Sequence, residues 1–367
     1  MSRVADRPRV QVNTGSARNF VADSLAAITR TTSGPVYLVL VGVFFACLIA
    51  VAIHGGEFLT GEAIKEMLVR SVALGIVAVG MTLVILGASL DLSVAYVVSL
   101  ASIIAAEVMD DATGNILIGI VAVIGFGALV GLVNGLVITK LRVNPFIATL
   151  GVALIIRGII ESRYQGTVTG VPEGFQKLGY DDLGPIPLSV VLLFAVVALG
   201  WFILRYTRFG NRLYAVGGNE EVAKLSGVRT HRVLIGAHVL CAMAAALTGL
   251  FLASRLGAGS PTVGPEGGYD LEAIAAVVLG GTYLLGGRGG VLGTIAGVLI
   301  LAMLDHTFNE LEVNAFAKDV ARGLIIIAAV AAYSIRWRRR KRAEAVADGP
   351  GDSGTGGTLQ PQEAGAG

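Results

Sequence analysis

Charge is scarce in this sequence. Asp, Glu, Lys and Arg make up 15% of its 367 residues, hydrophobic side chains make up 54%, and mean hydropathy is +0.75. Soluble domains carry about a quarter charged residues, so a water-soluble globule is excluded and the chain is an integral membrane protein. Cysteine is scarcer still. Cys47 and Cys241 both fall in apolar runs, leaving no basis for a disulfide framework or a CxxC metal site. Several catalytic signatures are missing as well. The glycine-rich "GGTYLLGGRGG" at 280–290 lacks the lysine and hydroxyl of a G-x-x-x-x-G-K-[ST] loop, which excludes nucleotide hydrolysis by that route. Neither G-x-S-x-G nor H-E-x-x-H occurs, and His54, His231, His238 and His306 are scattered without ligand spacing. The chain is therefore not expected to be an enzyme, to carry a metal or other cofactor, or to bind nucleic acid.

What the sequence has in abundance is long apolar runs. About 20 such residues cross a bilayer as a helix. Ten candidate spans follow, at 36–54, 70–88, 92–109, 115–138, 145–161, 187–205, 234–254, 270–286, 290–306 and 317–335, with two long loops at 162–186 and 206–233. Placing the N-terminus in the cytoplasm puts twenty of the 28 Lys and Arg residues inside, among them the closing run "RWRRRKR" at 336–342. That asymmetry supports cytoplasmic N- and C-termini and an even number of spans. The fold class expected is all-α and polytopic. Residues 1–35 read as a cytoplasmic arm, 36–336 as the transmembrane domain and 337–367 as a basic, then disordered, tail.

Two glycine ladders recur, Gly127, Gly131 and Gly135 in "GALVGLVNGLVI" and Gly289, Gly293 and Gly297 in "GGVLGTIAGVLI". Their offset of 162 residues equals five spans, and an odd number reverses direction in the membrane. Two inverted halves of about five spans are therefore expected, as in transporters. Small residues at every fourth position also serve simple close packing of helices.

The loop 206–233 contains a second signal. Asn219 is a good N-cap, Glu220 and Glu221 suit a positive helix start, and Gly227 suits a left-handed helix end. A short cytoplasmic helix results, with Val222 and Leu225 spaced as apolar anchors for a groove.

Its residues "EVAKLSG", Glu221 to Gly227, resemble the EAA-x-x-x-G signature of ABC importer permeases, with Val222 replacing the first alanine. The longer "YAVGGNEEVAKLSGVRTHRV" is similar to the corresponding loop of the ribose, xylose and galactose type of ABC sugar permease. The likeness extends through "GMTLVILGASLDLSVAYVVSLASIIAA" (80–106), "VNPFIATLGVALIIRG" (143–158) and "YDLEAIAAVVLGGTYLLGGRGGVLGT" (269–294). It implies the permease of a bacterial cell-membrane importer, working as two copies on a pair of ATPase subunits that bind ATP and Mg. An external binding protein would deliver the sugar. It also implies that Asn219, Glu220, Glu221, Ala223, Leu225 and Gly227 form the coupling helix. The family usually reads "GGIDLSVG" where this chain has "ASLDLSVA", and Glu-Leu-Asp where it has Asp270, Leu271 and Glu272, so the identity of the sugar stays open.

Polar residues inside the spans complete the reading. Asp91, in "DLS", either caps the helix that follows or lines the solute path; both hold together if it closes a broken helix. Ser93, Asn134, Asn144, Thr149 and Arg157 share the apolar context, and Asn144 before Pro145 is placed to satisfy helix-end donors. Asp270 and Glu272 open a span near the outside, where they would either suit the helix dipole or meet an arginine of a docking protein. Aromatics at 7% point to a mostly apolar pathway. An ion-coupled secondary transporter is the alternative function, since it also uses inverted repeats and buried acids.

Overall fold

The computed structural model describes residues 34–327, apart from 57, 315, 322, 325 and 326. The arm at 1–33, most of the tenth expected span and the tail lie outside the described residues. Thirteen α-helices with defined bounds precede a further helical stretch at 316–321: α1 (Gly34–Ile53), α2 (Gly61–Leu86), α3 (Val94–Met109), α4 (Ile116–Lys140), α5 (Pro145–Arg163), α6 (Glu173–Tyr180), α7 (Leu188–Tyr206), α8 (Arg208–Gly218), α9 (Glu220–Leu225), α10 (Thr230–Leu256), α11 (Val263–Glu266), α12 (Tyr269–Leu279) and α13 (Val291–Glu310). Four two-residue strands form two antiparallel ribbons. Val168–Thr169 pairs with Ala258–Gly259, and Asp182–Leu183 with Ile186–Pro187.

Seven helices are long and apolar enough to cross a membrane: α1, α2, α4, α5, α7, α10 and α13; α3 is apolar but shorter. The expected span at 270–286 is corrected. Its helix, α12, stops at Leu279, because Gly280 and Gly281 turn the chain, the latter at φ +82°, into a non-helical segment that runs to Gly290. The expected span at 70–88 starts earlier, at Gly61. There Thr60 Oγ1 accepts the Ala63 N–H at 3.2 Å, and Glu62 stands in the dipole-favoured first turn.

The core is built from α2, α3 and α10, with α12 and α13 against them. Side chains of α2 are buried almost without interruption from Val69 to Leu86, whereas α1, α4, α5 and α7 expose Phe45, Leu129, Ile155 and Phe202 outward. In a membrane no hydrophobic difference separates helix from lipid, so close packing through small residues holds the bundle. The first glycine ladder does this on one face of α4. A Cβ on Gly127 would lie 2.7 Å from the Ala242 carbonyl, one on Gly131 2.5 Å from Val239 Cα, and one on Gly135 2.7 Å from Ile235 Cα, all on α10.

Two helix triplets resemble one another: α2, α3 and α4 run long, short, long, as do α10, α12 and α13. Each pairing has its counterpart, since α4 packs on α10 as α13 packs on α2, and α3 packs on α10 as α12 packs on α2. The register differs from that of the ladders. Helix α13 starts at 291 against 116 for α4, an offset of 175 rather than 162 residues. The first ladder lies late in α4. The second begins at Gly289 in the turn before α13 and ends at Gly297 within α13, which meets the Ala276 carbonyl of α12.

Candidate functional site

Helix α2 ends at Leu86 and α3 begins at Val94, and the seven residues between them form a sharp break. Ser89 N–H donates to the Val84 carbonyl, and Ala88 sits at φ +58°, an uncommon conformation for a residue with a Cβ. Gly87 gives the room, because a Cβ there would press on Leu213 and Leu234. The break turns the Asp91 side chain into the bundle, where it is fully buried.

Four donor groups surround that carboxylate. Ser93 gives Asp91 Oδ1 its backbone N–H at 3.0 Å and its hydroxyl at 2.5 Å. The Asn134 amide reaches both carboxylate oxygens at 3.3 Å and Ser93 Oγ at 2.9 Å. His238 Nδ1 lies 3.4 Å from Asp91 Oδ2, while its Nε2 lies 2.9 Å from Ser89 Oγ. A neutral imidazole protonated on Nδ1 satisfies both contacts, with the Ser89 hydroxyl donating to Nε2. Asn134 belongs to the same helix face as Gly131, whose close approach to the His238 carbonyl brings α4 into reach. Its Oδ1 finds no hydrogen-bond donor among the described residues.

Asp91 therefore does not act as the simple N-cap of α3. Ser93 occupies that position without a side-chain cap bond, and Asp91 holds the turn just before it. Thr149 of α5 joins the break from another side, accepting the Leu92 N–H at 3.1 Å and donating to the Pro145 carbonyl. Asn144 stands apart from the cluster and caps α5, accepting the Phe146 N–H at 2.9 Å. His238 and Ser89 are not among the site residues expected from the sequence. A histidine inside an apolar span was the available signal, because ionisable groups at membrane depth are rarely without a polar partner.

The second group of residues lies at the α8–α9 corner. Asn219 Oδ1 accepts the N–H groups of Glu221 and Val222 at 3.0 and 3.1 Å. At the other end Gly227 adopts φ +80°, its N–H meets the Lys224 carbonyl, and the Val228 N–H meets that of Ala223, a Schellman closure. Glu220 is internally engaged, 2.7 Å from Lys224 Nζ and 3.0 Å from the Thr230 hydroxyl, and these partners hold its carboxyl below the ordinary value of 4.5. Ala223 is buried, whereas Val222 is 56% and Leu225 89% exposed.

Helix α8, which lies within the loop expected at 206–233, connects this corner to the break. Gly217 packs against the Leu86 carbonyl, which accepts the Gly287 N–H at 3.0 Å. Tyr214 Oη donates to the Gly289 carbonyl at 2.8 Å, and Leu213 is buried beside Gly87. Contact is thus continuous from α9 through α8 to the end of α2 and the turn at 280–290.

Asp270 and Glu272 occupy the first turn of α12, far along the chain from both groups. Glu272 lines a cleft of about 350 Å³ together with Arg70, Arg255, Tyr269 and Asp305; Asp270 does not. Among the described residues no cluster of His, Cys, Asp and Glu is arranged to hold a metal ion.

A profile of the family described as branched-chain amino acid transport system / permease component matches residues 63–330, a stretch that contains the break, the corner and both helix triplets. The chain belongs to this permease family. The ribose import permease protein RbsC of Escherichia coli (strain K12) is 37% identical over 279 residues, 75% of this chain and 86% of that protein. RbsC of Bacillus subtilis (strain 168) is 39% identical over 290 residues, covering 78% and 89%. The galactose/methyl galactoside import permease protein MglC of Escherichia coli (strain K12) is 33% identical over 333 residues, covering 86% and 97%. No solved structure matches. The protein is a multi-pass membrane permease and not an enzyme.

Proposed function

We propose that the chain forms the transmembrane pathway of an ATP-driven importer for a monosaccharide or a related small polar solute. A separate ATPase carrying ATP and Mg docks on α9, an external binding protein delivers solute to the opposite face, and a second permease copy completes the pathway. The observation that carries this reading is the α9 corner: a helix capped at both ends, with two apolar side chains exposed and a packed route to the α2–α3 break. Exposed apolar anchors three residues apart suit a groove on a partner. Glu221, whose neighbour Glu220 is already paired with Lys224, is the acid free to meet that partner's surface. Likeness to ribose and galactose import permeases supports a sugar as solute.

On this reading Asp91, Ser93, Asn134 and Thr149 do not touch the solute but fix the break that α8 presses on, and Asn144 sets where α5 begins. Asp270 and Glu272 belong to the face where the binding protein would dock. The test is charge reversal at α9 in a reconstituted transporter. Glu221→Lys is expected to leave membrane insertion intact and to separate ATP hydrolysis from uptake; unchanged uptake would remove the assignment.

A further inference from the structure

Arg157 and Glu161 lie on α5, one of the seven helices long and apolar enough to cross a membrane. Their side chains pair at 2.7 Å, Nε to Oε1, yet remain 49% and 62% exposed. At 1.5 Å rise per residue, Arg157 is ~9 Å inside the helix end at Arg163. It is flanked by Ile155, Ile156, Ile159 and Ile160. The outward faces of α4 and α7 carry Leu117, Val121 and Leu129, and Phe194, Leu199 and Phe202, as a lipid-facing surface does. Charge inside a span normally faces protein or water, because lipid contact is costly.

The pair has polar neighbours on the same side. Tyr96 of α3 interacts with the Arg157 guanidinium. Further along, the Tyr164 hydroxyl donates to Glu107 at 2.9 Å in an exposed contact. The surface next to the pair is open, since a Cβ on Gly151 or Gly158 would meet nothing within 4 Å. Two phenol rings, two carboxylates and a guanidinium in one stripe suit a neutral polyol: carboxylates accept hydroxyl protons, the guanidinium donates, and ring faces cover C–H surface. Arg157, with Arg163 acting on Tyr164 close by, balances the two acids, so the stripe carries no net charge that would select an anionic headgroup.

We infer that this stripe is a wetted wall of the solute path and that a neutral sugar or other polyol contacts it in passage, an inference that rests on the permease function proposed above. The test uses the full transporter, with ATPase and binding protein, in vesicles. Gly158→Cys is probed with a membrane-impermeant methanethiosulfonate, native Cys47 and Cys241 being buried, and Leu199→Cys on α7 is the lipid-facing comparison. Reaction at position 158 about tenfold faster than at 199, with loss of uptake on modification, is the expected result for a wetted site. Reaction at 158 only with a lipid-soluble maleimide would overturn the inference; if Gly158→Cys does not assemble, Gly151→Cys replaces it. A second arm measures Glu161→Gln and Tyr164→Phe, expected to lower uptake several-fold while leaving sugar affinity of the binding protein and basal ATP hydrolysis unchanged. Unaltered uptake in both variants would count against sugar contact. If the unsubstituted complex shows no ATP-dependent uptake, the permease function itself fails, which is a separate result.

Discussion

Asp91 is held by donors from two helices and the break, so each partner it has is also a constraint on where those elements sit. Asp91→Asn keeps the size but places an amide where donors converge, which sets NH₂ against the NH₂ of Asn134 or the N–H of His238. Leaving such buried groups unsatisfied costs about 1–3 kcal/mol. Asp91→Asn is therefore expected to lower the melting temperature of the detergent-solubilised permease, and His238→Ala to do the same. A variant as stable as the parent would show that the cluster does not hold the break. Gly131 is the backbone counterpart of this site. Its Cβ would fall 2.5 Å from Val239 Cα, so even Gly131→Ala must separate α4 from α10, at about 1–3 kcal/mol by the usual cost of overpacking. A thermal melt also checks that, and no change would mean the helices part easily. The sequence exposed Asp91 and Asn134 as polar residues in apolar runs. It hid their meeting with His238, because the contact joins positions 147 residues apart.

At the scale of elements, α9 was legible because capping is local chemistry: Asn219, the two acids and Gly227 lie within nine residues and need no tertiary context. Helix α8 was not, since "RFGNRLYAVGG" contains three glycines and its helical state comes from packing on Leu86, Gly87 and the 287–289 turn. The half-helix α12 was misread for the converse reason. Apolar composition continues past Leu279, and only the packing of Gly280 against Gly293 and Thr294 requires the chain to turn there. A pH dependence belongs to this scale. Glu220 titrates below its ordinary 4.5 because of Lys224 and Thr230. Its contribution is present above 4.5 and is lost as pH falls through the lower folded value. Hydrogen exchange at α9 is expected to rise on acidification through that window, and Glu220→Gln to show raised exchange already at neutral pH with little further change. Identical acid profiles for parent and variant would exclude the Glu220 contacts as the anchor of α9 to α10.

At the scale of the whole molecule, the α2–α3 break and the α8–α9 corner belong to one packed path. Membrane class and polytopic helical fold could be read from composition and apolar run length, whereas the glycine ladders align at a different register from the helices, 162 residues apart against 175. What composition concealed is the polar stripe shared by α3 and α5, since five charged or phenolic residues change the average little. On the proposed function this chain moves solute only when driven by a separate ATPase. Sugar uptake into proteoliposomes measures it directly, comparing the permease alone under a proton or sodium gradient with the permease plus ATPase, binding protein and ATP. Uptake only in the complete, ATP-fuelled system is the predicted result, and gradient-driven uptake by the permease alone would contradict it.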